Sequence, residues 1–209
     1  MARIDDYSKA AELAWNRLTG RDASELALAC GGKLTGDTSG GKSVELDFLG
    51  RPVVVSCQEA AVYDKGSGNA VSLQEQVLVL HYLERAKGDV LTGKWISYQE
   101  IPDGRFYMDV FKKRAKDPLT RAFGEHPDRL VDLAVSAYGA RPFDHGDKSV
   151  VFHAFPFVPI ALIIWKGDDE FPPDGNILFD GSVVELLSAE DAAWLAGMCV
   201  YPLIGKLRG

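Results

Sequence analysis

Residues 149–180 read SVVFHAFPFVPIALIIWKGDDEFPPDGNILFD, and this stretch decides the predicted fold. The segment IALIIW at residues 160–165 is continuously apolar and rich in branched side chains, which is typical of a strand buried on both faces. Residues 150–155 form a second apolar run, and a proline-rich connector joins the two. Because prolines lack ladder donors, we expect the connector at the end of the sheet. The stretch therefore predicts two neighbouring central strands, followed by an acidic turn at residues 168–170.

The sequence on either side predicts helices and one half-exposed strand. Residues 42–48 alternate between apolar and polar side chains, as a strand with one face in water does. Helix-start signals occur at Asp22, Ser72 and Ser188, each followed three residues later by an acidic residue. Other helices are expected at residues 5–18, 69–87 and 126–139, with one or two helices at residues 106–123 that Asp117-Pro118 interrupts. Pro202 is expected to end or kink the helix that begins at Ser188. We expect an α+β fold with a mixed or antiparallel central sheet and packed helices, in one domain that spans residues 1–209.

Two parts of the chain resemble each other. Residues 42–44 and residues 148–150 both read KSV, and each segment begins an apolar strand. Neighbouring helix ends, prolines and serine caps recur at a nearly constant offset. This pattern predicts an internal duplication of a helix–strand–strand–helix unit, with repeat halves at residues 22–87 and 128–203 that share one sheet. Chance similarity of apolar patterns is the alternative.

The composition excludes some classes of function. The net charge of −7 and the pI near 5.1 argue against a nucleic-acid surface, which is normally basic. No apolar run approaches the roughly 18 residues of a membrane span, and the charged amphipathic N-terminus does not resemble a signal peptide. We therefore expect a cytoplasmic protein that binds neither nucleic acid nor membrane.

The three cysteines, Cys30, Cys57 and Cys199, are far apart in the sequence. No CxxC pair occurs, and no cysteine and histidine have a spacing that is typical of zinc sites. A conventional all-cysteine cluster needs more thiols than this chain contains, so we expect no iron–sulfur cluster on it. The spacing favours reduced thiols that are buried in the core.

Residues 36–43 read GDTSGGKS and satisfy the phosphate-loop pattern GxxxxGK[ST]. Such a loop binds phosphate where a strand precedes it and a helix follows it, because the helix N-terminus and backbone N–H groups hold the anion. Here the alternating strand at residues 42–48 follows instead. We therefore interpret the segment as the lead-in to a hairpin.

A small set of residues are candidates for a ligand site. His81 lies in an apolar helical run and His153 in a predicted central strand, and either one is a candidate ligand of a metal or a tetrapyrrole. Core histidines bonded to a neighbour are the alternative. The other candidates are Trp95, Tyr98, Trp165, Asp168, Asp169, Glu170 and Asp180. The rings suit a flat ligand and the carboxylates suit acid–base chemistry or a hard cation, with core packing and a solvated turn as alternatives.

Several short motifs resemble one protein family. They are LHYL at 80–83, GKWISY at 93–98, FPFVP at 155–159, DEFP at 169–172 and LFD at 178–180. Together they resemble the family known as domain of unknown function 3786, over most of the chain. That family is typical of anaerobic bacteria and archaea, and some members are joined to a module similar to that of corrinoid iron–sulfur proteins. The resemblance implies an anaerobic redox or corrinoid setting, in which any iron–sulfur cluster belongs to a partner.

Three functional hypotheses stay open at this stage. The first is a cytoplasmic ligand-binding or accessory protein of anaerobic metabolism, whose small-molecule or macrocyclic ligand is cobalamin or another tetrapyrrole. Its pocket is expected near Trp165 and the acidic turn. The second is an enzyme that uses Asp169, Glu170 or Asp180 with a histidine in acid–base or metal-assisted chemistry. The third is a docking module for an iron–sulfur partner protein.

Overall fold

The computed structural model of the protein describes residues 4–36 and 41–208. Within these residues the strands form two antiparallel sheets, one with four strands and one with five. Helices precede and follow the strands of each sheet in the chain. The predicted α+β class is confirmed. The expectation that both halves share one sheet is wrong, because the strands of each half pair among themselves.

The first of two compact units comprises residues 1–90 together with Phe155–Phe157. Its described elements are α1 (Ile4–Leu18), α2 (Ala23–Cys30), β1 (Lys33–Gly36), β2 (Lys42–Phe48), β3 (Arg51–Ser56), β4 (Ala61–Asp64) and α3 (Leu73–Arg85). The strands lie in the sheet in chain order, and each neighbouring pair is antiparallel. Strands β1 and β4 have four residues each, which is too short for an alternation pattern to predict them.

The sequence signals that begin α2 and α3 act as predicted. The carboxylate of Asp22 accepts hydrogen bonds from the backbone N–H groups of Ser24 and Glu25, at 2.8 and 3.1 Å. Ser72 and Glu75 form a reciprocal capping box at the start of α3. Each cap satisfies N–H groups that have no partner inside the helix.

Strand β2 has one face in the core and one face turned outwards. Val44 pairs with Val55 and Leu46 with Val53, and all four side chains are buried. Glu45 lies between Val44 and Leu46 in sequence, and its side chain points to the other face. The predicted alternation is therefore confirmed from Val44 to Phe48, whereas Ser43, predicted on the exposed face, is buried.

A short segment from far downstream completes the core of the first unit. The ring of Phe155 is fully buried and stacks on the ring of Tyr82, with centroids 4.3 Å apart and planes 10° apart. It also lies 4.8 Å from the ring of Phe48. These contacts place Phe155 among the side chains of β2 and α3, although more than sixty residues separate it from the end of α3.

The hydroxyl group of Tyr82 ties the same segment to the end of α2. It donates a hydrogen bond to the carbonyl of Cys30 at 2.8 Å and accepts one from the N–H of Phe157 at 3.3 Å. Burial raises the pKa of Tyr82, so the hydroxyl keeps the proton that it donates. Gly31 ends α2 at φ 70°, and a Cβ atom there would lie 2.9 Å from the Phe157 ring. Only glycine combines that conformation with that clearance.

The second unit comprises residues 91–154 and 158–209. Its described elements are β5 (Trp95–Ser97), α4 (Gly104–Phe111), α5 (Asp117–Phe123), α6 (Pro127–Tyr138), β6 (Arg141–Pro142), β7 (Lys148–Phe155), β8 (Val158–Trp165), β9 (Asp174–Asp180), α7 (Val183–Leu186) and α8 (Ala189–Arg208). The strand order is β5-β9-β8-β7-β6. Helix α8 continues through Pro202, so this proline does not end the helix, and the kink that was the other expectation stays a prediction. Among the helices described in either unit, none is long and apolar enough to cross a membrane.

Strand β8 occupies the middle of the second sheet, as its apolar sequence predicts. Every residue of the strand except Trp165 is buried. The connector from β7 is shorter than expected, because Val158 and Pro159 already belong to β8. Only Pro156 and Phe157 form the turn between the strands.

A continuous run of helix changes its winding between α4 and α5. Residues Lys112–Lys116 form a π-helical turn, in which the N–H of Asp117 donates to the carbonyl of Lys112, five residues earlier. The sequence predicted one or two helices here with an interruption at the Asp-Pro pair. The structure has a widened turn in place of a break.

Pro118 explains part of this local geometry. It has no N–H, so the carbonyl of Arg114 loses its α-helical partner. Gly197 of α8 lies against that carbonyl, since a Cβ atom on Gly197 would be 3.2 Å from the carbonyl oxygen of Arg114. The absence of a side chain on Gly197 therefore allows α8 to approach the π-helical turn closely.

The two units share an order of elements. In each unit four antiparallel strands follow one helix and precede another. The order is α2, β1 to β4 and α3 in the first unit, and α6, β6 to β9 and α8 in the second, where the short α7 lies between β9 and α8. Strands β2 and β7 both begin at a lysine and have the same succession of exposed, half-buried and buried residues over seven positions. This likeness agrees with the predicted duplication. The repeat boundaries at residues 22–87 and 128–203, and the single domain, stay predictions.

Candidate functional site

The two histidine candidates lie in different units. His81 is half-buried on α3 of the first unit, and His153 is exposed on β7 of the second unit. Across residues 4–36 and 41–208, no group of three or more histidine, cysteine and acidic side chains is arranged to hold a metal ion. The role of either histidine as a metal or tetrapyrrole ligand stays a prediction.

The three aromatic candidates are spread over the second unit. Tyr98 is buried in the core, where its hydroxyl donates to the carbonyl of Ala189 at 2.8 Å and its ring stacks on that of Phe111 at 4.1 Å. Trp95 is half-buried, and Trp165 is 40 % exposed at the end of β8.

The register of β9 shows how far apart the two tryptophans are. Trp95 pairs with Asp180 at one end of β9, whereas Trp165 pairs with Asp174 at the other end. Six residue steps along a strand correspond to roughly 20 Å. The structure therefore does not bring these rings into one aromatic pocket.

The acidic candidates also fall into two separate places. Asp168 is exposed and accepts hydrogen bonds from the N–H groups of Glu170 and Phe171, at 2.9 and 2.8 Å. These two backbone bonds lower its pKa and make it the organiser of a surface turn. Asp169 and Glu170 are exposed in the same turn.

Asp180 is buried, with 3 % of its surface exposed, and its carboxylate is saturated with donors. It accepts hydrogen bonds from the N–H and hydroxyl of Thr92, both at 3.0 Å, and from the N–H groups of Gly93 and Ser182, at 2.7 and 2.8 Å. Burial by itself opposes ionisation, but the bonds from Thr92 and Ser182 outweigh it and lower the pKa of Asp180. This carboxylate ties the loop before β5 to the end of β9, and it has the chemistry of a structural anchor.

A groove of about 660 Å³ lies within the first unit, on the polar outward face of its sheet. Its walls come from the end of β1, the outward side of β3, and β4 with the turns that flank it. The side chains that matter below are Thr35, Val54, Ser56, Glu59, Tyr63 and Lys65. None of them was a candidate from the sequence, because they come from three strands and two turns that carry no motif. The available signal was the polar half of the alternation in residues 42–48, which marks this face as outward.

Cross-strand pairing arranges the floor of the groove in two rows. Thr35 pairs with Ser43 and Ser43 with Ser56, which gives a row of three hydroxyl groups across β1, β2 and β3. Val54 pairs with Tyr63 in the next row on the same face. The hydroxyl of Ser43 is buried and has no hydrogen-bond partner among the described residues. The floor therefore combines a polar end with an apolar and aromatic end.

The serine at the equivalent position of the second unit is fully satisfied. Ser149 occupies the second position of β7, as Ser43 does in β2. Its hydroxyl donates to the carbonyl of Phe143 at 2.5 Å and accepts from the N–H of His145 at 3.1 Å. The two units therefore differ in how this shared serine is used.

Two ion pairs neutralise part of the charge of the groove. Asp64 accepts a hydrogen bond from the guanidinium of Arg51 at 2.6 Å, and the same guanidinium also contacts Glu75. The bond from Arg51 lowers the pKa of Asp64 to about 2. Lys65 pairs with Glu45 at 2.7 Å. The groove thus contains one carboxylate and one ammonium group that already have partners of opposite charge.

Glu59 is held over the aromatic end of the groove by the turn between β3 and β4. Its N–H donates to the hydroxyl of Ser56 at 3.2 Å, and Ala60 adopts a positive φ of 49°. Its carboxylate accepts a hydrogen bond from the hydroxyl of Tyr63 at 2.8 Å. That bond raises the pKa of Tyr63, which therefore stays protonated at neutral pH. A carboxylate next to an aromatic ring can bind a cation or act on a proton.

A second, smaller depression of about 400 Å³ lies beside the π-helical turn of the second unit. Its charged lining residues are Lys112, Lys116, Asp117, Arg121 and Asp174. Lys116 pairs with Asp174 at 3.1 Å. The depression has no apolar floor comparable to that of the groove, so it is the weaker candidate for a site that holds an organic ligand.

One comparison with known proteins identifies a family that this chain matches. The model of the family described as Domain of unknown function (DUF3786) matches residues 22–201. No curated protein and no solved structure matches the chain. Because the family model covers most of the sequence, the chain belongs to the DUF3786 family.

Proposed function

We propose that the protein binds a small organic molecule in the groove of its first unit. The observation that carries this proposal is the combination of size and lining. A volume of about 660 Å³ lies within the range of about 300 to 1,000 Å³ that is common for ligand sites. The Val54 and Tyr63 end provides apolar surface, and hydroxyl and carboxylate groups around it can orient a ligand.

The cytoplasm is the compartment that we propose for this role. The three cysteines are free thiols, and two of them, Cys30 and Cys199, are buried. Burial raises the pKa of Cys30 to about 11, so this thiol is protonated and unreactive at neutral pH. Free thiols persist in reducing compartments, which supports the assignment.

A corrinoid or another tetrapyrrole is the finer proposal for the ligand, and it rests on the family resemblance. An anaerobic titration with cobalamin and with haem, followed by visible spectroscopy, tests it. A stoichiometric shift that disappears in His81→Ala or His153→Ala would support it, and a flat titration with both compounds would remove tetrapyrroles from consideration. The anaerobic setting, the enzymatic alternative and the iron–sulfur partner stay predictions.

The groove itself is tested by blocking it. We expect Val54→Trp to fill the aromatic end, and to abolish thermal stabilisation by any compound that binds the wild type in a library of cellular metabolites. Val135→Trp is the matched control, because Val135 is 45 % exposed on α6 of the second unit. Thr35→Arg blocks the other end of the groove and serves if Val54→Trp does not fold. A ligand that binds wild type and both groove variants equally would contradict the proposal.

A further inference from the structure

The charge of the groove is uneven once its internal ion pairs are taken into account. Of the charged side chains that line it, Asp64 is neutralised by Arg51 and Lys65 is neutralised by Glu45. Glu59 is the lining group whose described contact is with a neutral donor, the hydroxyl of Tyr63. Among the described residues, Glu59 therefore has no oppositely charged partner at the aromatic end of the groove.

The geometry around Glu59 matches what an ammonium group requires. Carboxylate oxygens accept charge-assisted hydrogen bonds, and one carboxylate oxygen of Glu59 is engaged by Tyr63. The ring of Tyr63 belongs to the same wall, and an aromatic face attracts a cation within about 6 Å of its centroid. The Glu59 turn is fixed by the hydrogen bond from the Glu59 N–H to the hydroxyl of Ser56. An anion at this place would meet the negative charge of Glu59, and the lining cation Lys65 is already paired with Glu45.

We infer that the ligand of this groove is an organic cation, an amine whose ammonium group binds between Glu59 and the Tyr63 ring and whose apolar body lies over Val54. This inference rests on the proposed function, because it specifies the ligand class for the same groove. Thr35 of β1 also lines the groove, so a hydroxyl group is present for a polar group on the body of the ligand.

Three probes of one shape and different charge test the inference. Phenethylamine hydrochloride, 2-phenylethanol and 3-phenylpropanoate are added separately to the nitrogen-15-labelled full chain, and amide chemical shifts in β3 and β4 report binding. We expect phenethylamine to bind at least threefold more tightly than the alcohol, and the alcohol more tightly than the acid. Raising the salt concentration should weaken only the amine, because the contact with exposed Glu59 is screened.

Two variants assign the preference to named groups. Glu59→Gln keeps the size of the side chain but removes its charge. In this variant the amine and the alcohol should bind with about equal affinity. Tyr63→Leu should weaken both the amine and the alcohol, because it removes the ring. Glu125→Gln is the matched control, since Glu125 is exposed in the second unit, and it should change nothing.

The outcomes separate this inference from the proposed function. Tighter binding of the acid or the alcohol than of the amine, or an amine preference that survives Glu59→Gln, would overturn the cation assignment while the groove remains a ligand site. Amide shifts with none of the three probes would also overturn it. The groove proposal is then tested by thermal stabilisation with the metabolite library and by its loss in Val54→Trp. Neither measurement depends on the charge of the ligand.

Discussion

At the scale of single residues, Asp180 shows how one buried carboxylate holds a loop to a strand end. Its four hydrogen bonds come from Thr92, Gly93 and Ser182. An asparagine has one acceptor oxygen in place of two, so Asp180→Asn leaves buried donors unpaired. We expect this variant to lower the free energy of unfolding by about 2 kcal/mol, as measured by urea denaturation. Asp169→Asn, in an exposed turn, is the control and should change it by less than about 0.5 kcal/mol; equal effects would contradict the anchor role.

The same carboxylate predicts a dependence of stability on pH. Its pKa in the folded protein lies below the ordinary value, so its ionisation stabilises the fold above the unfolded pKa of about 3.9. That contribution is lost as the pH falls through the lower, folded pKa. The difference in unfolding free energy between wild type and Asp180→Asn should therefore be constant above about pH 5 and shrink below about pH 4. A difference that persists unchanged at pH 2 would show that the charge is not what stabilises the loop.

The effect of Arg51 on the pKa of Asp64 can be measured directly at the Asp64 carboxyl group. Its bond to Asp64 is the main cause of that carboxylate's pKa of about 2. We expect Arg51→Met to raise the pKa of Asp64 toward about 3.9, as followed by carbon-13 NMR of the carboxyl group. The bonds from Ser67 remain, so the rise should be incomplete. Arg105→Met, in an exposed position of the second unit, should leave the pKa of Asp64 unchanged.

The site residues illustrate why sequence proximity predicts a site poorly. Asp168 and Asp180 were both candidates for one ligand site, yet β9 separates them in the chain and Asp180 is its last residue. The groove residues Val54 and Tyr63 come together through strand pairing. Pairing register is a tertiary property, so a single sequence without a motif does not reveal which outward side chains meet.

At the scale of elements, the closeness of α8 to the π-helical turn depends on Gly197. An alanine there would place its Cβ 3.2 Å from the backbone oxygen of Arg114, which is tighter than ordinary contact. Gly205 lies on the same helix and has no atom within 4 Å of such a Cβ. We expect Gly205→Ala to raise the free energy of unfolding above that of the wild type by about 0.5–1 kcal/mol. The free energy of unfolding of Gly197→Ala should be about 1–2 kcal/mol lower than that of Gly205→Ala. Thermal unfolding of the two variants measures the difference, and equal stabilities would mean that the helices have room to separate.

Elements with strong local signals were predicted well. The caps at Asp22 and Ser72 and the apolar strand β8 are confirmed, because side-chain capping and continuous burial leave direct marks in the sequence. Strands β1 and β4 and the π-helical turn were not predicted. The two strands are short, and the turn depends on Pro118 together with the packing of Gly197 in another helix.

At the scale of the whole molecule, the first unit depends on residues that lie far from it in the chain. Phe155→Ala removes the ring that stacks on Tyr82 and contacts Phe48. Loss of a fully buried phenylalanine costs about 3–5 kcal/mol. Hydrogen exchange measured by mass spectrometry should therefore show faster exchange in β2 and α3. Phe106→Ala is the control, because Phe106 is 87 % exposed; faster exchange confined to β7 and β8 would contradict the assignment of Phe155 to the first unit.

The downstream origin of Phe155–Phe157 has a consequence for synthesis on the ribosome. Residues 1–90 emerge first, but the ring that covers Tyr82 is encoded about 65 residues later. At a translation rate of ~5–20 residues per second, this delay lasts about 3–13 seconds. During that time the rings of Tyr82 and Phe48 lack the contact with Phe155 that they make in the folded unit. Completion of the first unit is therefore a late event of translation.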